Sequence, residues 1–162
     1  MSDFRFCPRC GGPLPPREVG GVLRAACADT ACGFVFWDNP VPVVAALVEV
    51  DGRIVLARNV AWPEKVFGLV TGYLERNESP EQAVAREVGE ELGLTATAVE
   101  LIGLYPFAAK NQLIIACHVR AVGEVRLNEE LAEVRLIDPE KLKPWDFGTG
   151  PAVRDWLAAR QA

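Results

Sequence analysis

The chain has 162 residues, half of them apolar, with a net charge of −5 and a sequence pI near 5.0. That length allows a small module plus one domain of ordinary size. The acidic balance argues against bulk nucleic acid or an anionic membrane as partner, and no run reaches the roughly 18 apolar residues of a membrane span. The single histidine, His118, sits beside Cys117 in a strand pattern and reads as structural, so a Ser-His-Asp hydrolase is a poor fit.

The amino-terminal stretch is organised by cysteine. Cys7-Pro8-Arg9-Cys10-Gly11-Gly12 opens a knuckle, and Cys27 and Cys32 supply a second pair, giving Cys-x2-Cys-x16-Cys-x4-Cys. This is close to the double-knuckle spacing of a structural zinc site, with a second gap two residues longer than usual. Thiolates suit tetrahedral Zn²⁺, and Gly11-Gly12 lets backbone amides turn back toward the sulfurs. Two disulfides or buried free thiols are the alternatives. Disulfides need an oxidising compartment, whereas the chain opens Met-Ser-Asp-Phe-Arg with no apolar signal segment. The expectation is Zn²⁺ on Cys7, Cys10, Cys27 and Cys32, a cytoplasmic location, and a core role for the leftover Cys117. Residues 1–38 carry four basic and four acidic side chains, so this module is no basic clamp; residues 39–162 form the second domain.

Residues 34–37 read as a short strand and 38–42 as a turn-rich linker. Two apolar strands, 43–50 and 54–58, are joined through Asp51-Gly52, the strongest short hairpin signal. A run over 66–74 leads into a helix with Ser79 as N-cap, Pro80 at its first position, Gln82 closing a capping box, and Gly93 as the left-handed stop. Val84, Ala85, Val88 and Leu92 form its apolar stripe. Strands follow near 99–105, 113–122 and 134–137, and Thr149-Gly150-Pro151 opens a last helix to about Arg160, with Val153, Trp156 and Leu157 on its packing side. Strands flanked by an internal and a terminal helix suit a mixed sheet covered on both faces, an α+β fold.

The first helix carries the chemistry. Glu87, Glu90 and Glu91 fall on one face, since positions three and four apart are neighbours. Three clustered carboxylates repel one another, and a hard divalent cation removes the repulsion, because Mg²⁺ takes oxygen ligands and keeps waters for substrate phosphates. The bland alternative is a solvated acidic face with Arg86 pairing Glu90. Gly89 in mid-helix costs about 1 kcal/mol against alanine, so something other than propensity chose or tolerates it.

Gly72, Glu78, Arg86-Glu87 and Glu90-Glu91-Leu92-Gly93-Leu94 fill every position of Gly-x5-Glu-x7-Arg-Glu-U-x-Glu-Glu-x-Gly-U, with U aliphatic. This resembles the box of the Nudix hydrolases, which cleave a nucleoside diphosphate linked to another moiety, X. The resemblance implies an α/β/α sandwich, catalytic Mg²⁺ or Mn²⁺ held by Glu87, Glu90, Glu91 and the Thr71 carbonyl, Arg86 orienting the glutamates and Glu78 supporting the loop. It leaves the catalytic base open, with Glu87 the box candidate. With the four-cysteine module, the whole chain resembles the zinc-ribbon branch, which includes NADH pyrophosphatases and FAD- or ADP-ribose-hydrolysing relatives. A Ser-Gln-Pro-Trp-Pro-Phe-Pro signature of the NADH enzymes is here reduced to Tyr105-Pro106-Phe107, within a segment ending at Gln112 that is positioned to set specificity. Tyr105 and Phe107 read either as one wall of a base slot or as core residues at a strand end. The branch draws a further metal ligand from a later glutamate, matched by Glu130 with Glu129 and Glu133 as alternatives; Arg58, Lys65 or Glu64 are candidates for phosphate contact, and a homodimer is implied.

The expected reaction is release of AMP from FAD, NADH or ADP-ribose. A nucleoside triphosphate or an RNA cap is the second substrate class, disfavoured for RNA by the acidic charge. A silent ligand-binding module is the third reading, opposed by retention of every box glutamate.

Overall fold

A computed structural model describes residues 4–160. The outermost residues of both expected domains, including the opening Met-Ser-Asp, lie outside the described residues. The chain divides into two compact units, Met1–Asn39 and Pro40–Ala162.

The first unit holds β1 (Pro16–Val19) and β2 (Val22–Ala25), an antiparallel pair. Gly20 and Gly21 turn between them at φ 62° and 77°, the left-handed pair that a tight hairpin requires. The expected strand at 34–37 reduces to a bridge between Ala26 and Val35. Its backbone bonds, Cys27 N–H to Phe34 C=O and Phe36 N–H to Ala25 C=O, are spent on the cysteine-bearing segment, so no longer ladder forms.

The second unit is built on a mixed sheet. In chain order its strands are β3 (Val41–Val50), β4 (Arg53–Asn59), β5 (Val70–Tyr73), β6 (Thr95–Phe107), β7 (Gln112–Val122) and β8 (Leu131–Ile137). They run β6-β7-β3-β4-β8, with β5 also on β3. Only the β3–β7 pair is parallel. Helices α1 (Pro80–Leu92) and α2 (Gly150–Ala159) cover opposite faces.

β3 explains the arrangement. Val44, Ala46 and Val48 pack under α1, while Ala45 and Leu47 pack under α2. A strand buried on both faces must be apolar throughout, which is why residues 43–48 lack alternation. One edge of β3 is divided: residues 48–50 pair with β4 and 43–46 with β5. The run expected over 66–74 therefore splits, because Gly68 bridges Ala57 of β4 before Val70–Tyr73 join β3. The cleft described below opens at this division.

α1 begins and ends as its sequence dictates. Ser79 Oγ accepts from Gln82 N–H, Gln82 Oε1 accepts from Ser79 N–H, and Gly93 stops the helix at φ 67°. The apolar stripe is corrected at one position: Ala83, fully buried, replaces Ala85, which is half-buried. Burying Val84, Val88 and Leu92 contributes roughly 1.5–3 kcal/mol each. Among the described residues no helix is long and apolar enough to cross a membrane.

Candidate functional site

The box becomes a site through one close approach. Gly72 pairs with Val44 in the sheet, and the Glu87 carboxylate fills the space that a Cβ at position 72 would take. Only glycine lets β5 lie flush against that carboxylate.

Arg86 then ties the acids together. Nε and Nη2 donate to the two oxygens of Glu78 at 2.9 and 3.1 Å. Nη1 donates to Glu87 at 2.7 Å and Glu90 at 3.2 Å, and Nη2 also reaches the Tyr73 carbonyl at 3.2 Å. A rigid guanidinium fork makes these bonds at once, whereas a lysine ammonium is a point charge. The bond from Arg86 holds the Glu78 carboxyl below its usual range, and Glu78 and Glu87 raise the guanidinium in return. Glu78 also accepts from Glu75 N–H at 3.2 Å, which closes the loop before the helix.

Glu91 differs from its neighbours. It is buried, at 7 % exposure, and no described residue donates a hydrogen bond to its carboxylate. Burial first, and then the charges of Glu87, Glu130 and Glu90, raise its pKa to about 7. Glu130 reaches it through α1 itself: Asn128 N–H donates to the Glu91 carbonyl at 3.2 Å, and Asn128 Oδ1 accepts from Glu130 N–H at 3.0 Å. That turn brings Glu130, rather than Glu129 or Glu133, to the acidic cluster; Glu133 instead faces Arg58 and Arg135. A buried carboxylate without a protein donor, facing three others, fits the hard-cation chemistry of divalent metals.

The cluster opens into a cleft of about 700 Å³. Thr71, Gly72, Arg86, Glu87, Glu90, Glu91 and Glu130 line one wall, and Phe107 and Gln112 also line it. A side cavity of about 40 Å³ adjoins, bounded by Asn59, Trp62, Thr71, Glu91 and Glu130. Four residues expected as contacts are not brought to the cleft. Tyr105 turns its hydroxyl to Asp155 of α2 at 2.7 Å, and burial and that bond raise its pKa. Arg58 lies 3.7 Å from Glu133, and Glu64 and Lys65 are both exposed outside the cleft wall. Sequence reading missed Trp62, Phe67, Trp145 and Phe147, four aromatics of the lining, and Lys110, which has no ion pair among the described residues. For Trp62 and Trp145 the signal was available as aromatics beside Pro63 and Pro144 in loop segments, but such residues are as often core as site. His118 is structural, 2.8 Å from Glu49 and against Trp156. Cys117 is core, its thiol pushed up to about 11 by burial.

In the amino-terminal unit, the sulfurs of Cys7, Cys10, Cys27 and Cys32 all lie within 4.8 Å of one another. Cys7–Cys32 and Cys10–Cys27 are 3.7 and 3.5 Å apart, and all four thiols are free, so the disulfide alternative falls. Sulfurs around tetrahedral zinc at about 2.3 Å stand roughly 3.8 Å from each other, which these spacings fit. Arg9 and Arg17 donate to the carbonyls of Cys32 and Cys27 at 2.8 and 2.9 Å, fixing the second knuckle.

The NUDIX-domain family model matches residues 38–156, and the chain belongs to the NUDIX family. Among its relatives, an NAD-capped RNA hydrolase NudC of Mycobacterium bovis (strain BCG / Pasteur 1173P2) is 34 % identical over 163 residues, 99 % of this chain and 50 % of the relative. The enzyme of the same name from Stutzerimonas stutzeri (strain A1501) is 31 % identical over 137 residues, 83 % of this chain and 48 % of the relative. The chain thus spans about half the length of these curated relatives. A NUDIX hydrolase crystal structure from Nitrosomonas europaea superposes with a TM-score of 0.74 at 25 % identity, covering 86 % of this chain and 80 % of that one.

Proposed function

We propose that the chain is a divalent-metal-dependent pyrophosphohydrolase that cleaves the diphosphate of a dinucleotide, such as FAD, NADH or ADP-ribose, to AMP and a second monophosphate. The observation that carries this reading is the convergence of Glu87, Glu90, Glu91 and Glu130 on one cleft, clasped by Arg86 and closed behind by Gly72. In this reading the four carboxylates and the Thr71 carbonyl hold Mg²⁺ or Mn²⁺, which would neutralise the diphosphate and acidify a bound water. Arg86 and Glu78 keep Glu87 and Glu90 aimed into the cleft before substrate arrives. Buried Glu91 contributes the charge that most needs compensation. Lys110 is free to meet a phosphate from another part of the lining. Cys7, Cys10, Cys27 and Cys32 hold a structural Zn²⁺, and the active form is a homodimer, which sedimentation would test.

The test is product chromatography with Mg²⁺ or Mn²⁺ against FAD, NADH, NAD⁺, ADP-ribose, diadenosine polyphosphates and nucleoside triphosphates, with Glu91→Gln alongside. AMP from a dinucleotide, lost in the variant, is the expected result. Turnover of triphosphates alone would overturn the dinucleotide reading.

A second reading is favoured by the relatives, which are named NAD-capped RNA hydrolases. An NAD-type cap presents the same diphosphate, so the acidic charge of this chain does not exclude it. It does argue against a long phosphate-binding track, and cap removal here would have a shallow salt dependence.

A further inference from the structure

Six aromatic side chains line the cleft, but they are not equally free. Phe107 and Trp145 are packed into the apolar layer beneath α2. Phe67 has one face covered by the Arg135 guanidinium, 4.0 Å from the ring centroid. Tyr73, 62 % exposed, is a third open ring, but it follows Gly72 directly on β5, in the strand whose carbonyl Arg86 holds. Trp62 and Phe147 are the open rings carried by loops. They come from separate loops, one between β4 and β5 and one before α2, and neither loop carries a box residue.

Both sit on pinned backbone although exposed. Trp62 is 36 % exposed, and its six-membered ring lies on bare backbone: a Cβ at Gly68 would stand 3.2–3.3 Å from it. Its loop is pinned by Trp62 N–H to Asn59 C=O at 2.9 Å and by Val60 N–H to Glu130 C=O at 2.8 Å. Phe147 is 64 % exposed, yet its carbonyl accepts from Gly150 N–H at 3.0 Å. Gly150 is required there, because a Cβ would overlap the Trp145 carbonyl. Apolar rings carried on pinned backbone and left uncovered in a cleft are surfaces that a planar ligand can cover.

We infer that Trp62 and Phe147 are the specificity-determining platforms of the cleft, each stacking one of the two ring systems of a dinucleotide. The inference rests on the hydrolase reading and deepens it: X is itself a planar heterocycle, as in NADH or FAD, rather than a bare sugar or phosphate. Trp62 borders the side cavity with Glu91 and Glu130, and Phe147 shares the cleft without bordering that cavity. The two rings are therefore served by different walls.

ADP-ribose separates the two roles, since it shares adenosine and the diphosphate with NADH but lacks the second ring. Steady-state kinetics of wild type, Trp62→Leu, Trp62→Phe and Phe147→Leu on both substrates test the inference. The expected result is that one leucine variant raises KM roughly tenfold for both substrates and the other raises it roughly tenfold for NADH alone, the size of a lost base–aromatic stack. Trp62→Phe restores most of the effect of Trp62→Leu. Equal effects of both variants on NADH and ADP-ribose, or no effect on either, would overturn the inference. Calorimetric binding of NAD⁺ and ADP-ribose to the same proteins reads the platforms without turnover. The same selectivity in binding with no hydrolysis by wild type would sink the hydrolase reading and retain this one.

Discussion

Glu91 is the residue on which the proposed chemistry turns, because its surroundings oppose its charge. Its pKa is raised to about 7, by burial first and then by Glu87, Glu130 and Glu90. The sign follows directly: between the ordinary carboxylate range and about pH 7 the folded protein holds a proton that the unfolded chain has lost, so stability falls as pH rises. Without added Mg²⁺ or Mn²⁺, wild type should lose on the order of 3 kcal/mol relative to Glu91→Gln between pH 5 and pH 8. Paired thermal melts check this; parallel curves would refute it. Added Mg²⁺ should restore wild type more at pH 8 than at pH 5, since metal binding requires the deprotonated ligand. Arg86 sets the neighbouring geometry. Arg86→Lys keeps the charge but loses the fork to Glu78, Glu87 and Glu90, and activity should fall about 10- to 100-fold with secondary structure intact.

At the scale of elements, α1 carries both the clearest sequence message and its least explained residue. Its start, stop and acidic face were legible because capping and helical spacing are local. Ala85 was misread for Ala83 because the tilt of a helix on a sheet is decided by the sheet. Glu130 rests on a tertiary bond from Asn128 to the end of α1, although Asn two residues earlier was a usable turn signal. Tyr105 and Arg58 went elsewhere because α2 and β8 supply Asp155 and Glu133, partners remote in sequence. The β1–β2 hairpin was overlooked despite Gly20-Gly21, a turn signal as good as the Asp51-Gly52 that was used. Gly89 has no steric reason to be glycine: a Cβ there would meet only the Leu94 carbonyl, at an ordinary 3.8 Å. Gly89→Ala should therefore stabilise the protein by up to about 1 kcal/mol in denaturant titration. Gly72→Ala is the contrasting case. Its methyl would displace Glu87, so activity should be lost at little change in helix content.

At the scale of the whole molecule, the two units hold themselves together by different means. The larger one buries two apolar layers, one on each face of its sheet. Among the described residues the smaller one buries Cys7, Leu14, Ala26 and Cys27, with Phe34 and Phe36 packed alongside, so two of these four belong to the cysteine cluster itself. A unit of this size, near 40 residues, seldom folds on such a core without a metal or cross-links, and its thiols are not cross-linked. Four thiolates gathered within 4.8 Å would repel one another without a cation between them. Removal of zinc should thus unfold residues of the amino-terminal unit while leaving β3–β8, α1 and α2 folded. Amide spectra of the ¹⁵N-labelled protein, recorded before and after zinc is drawn off by a thiol-displacing reagent, would report each unit separately. Collapse of signals from Phe6 to Trp37 alone is the expected pattern. Retention of those signals with zinc fully released would mean that the hairpin and its few apolar contacts suffice, and that the four cysteines are not what folds this unit.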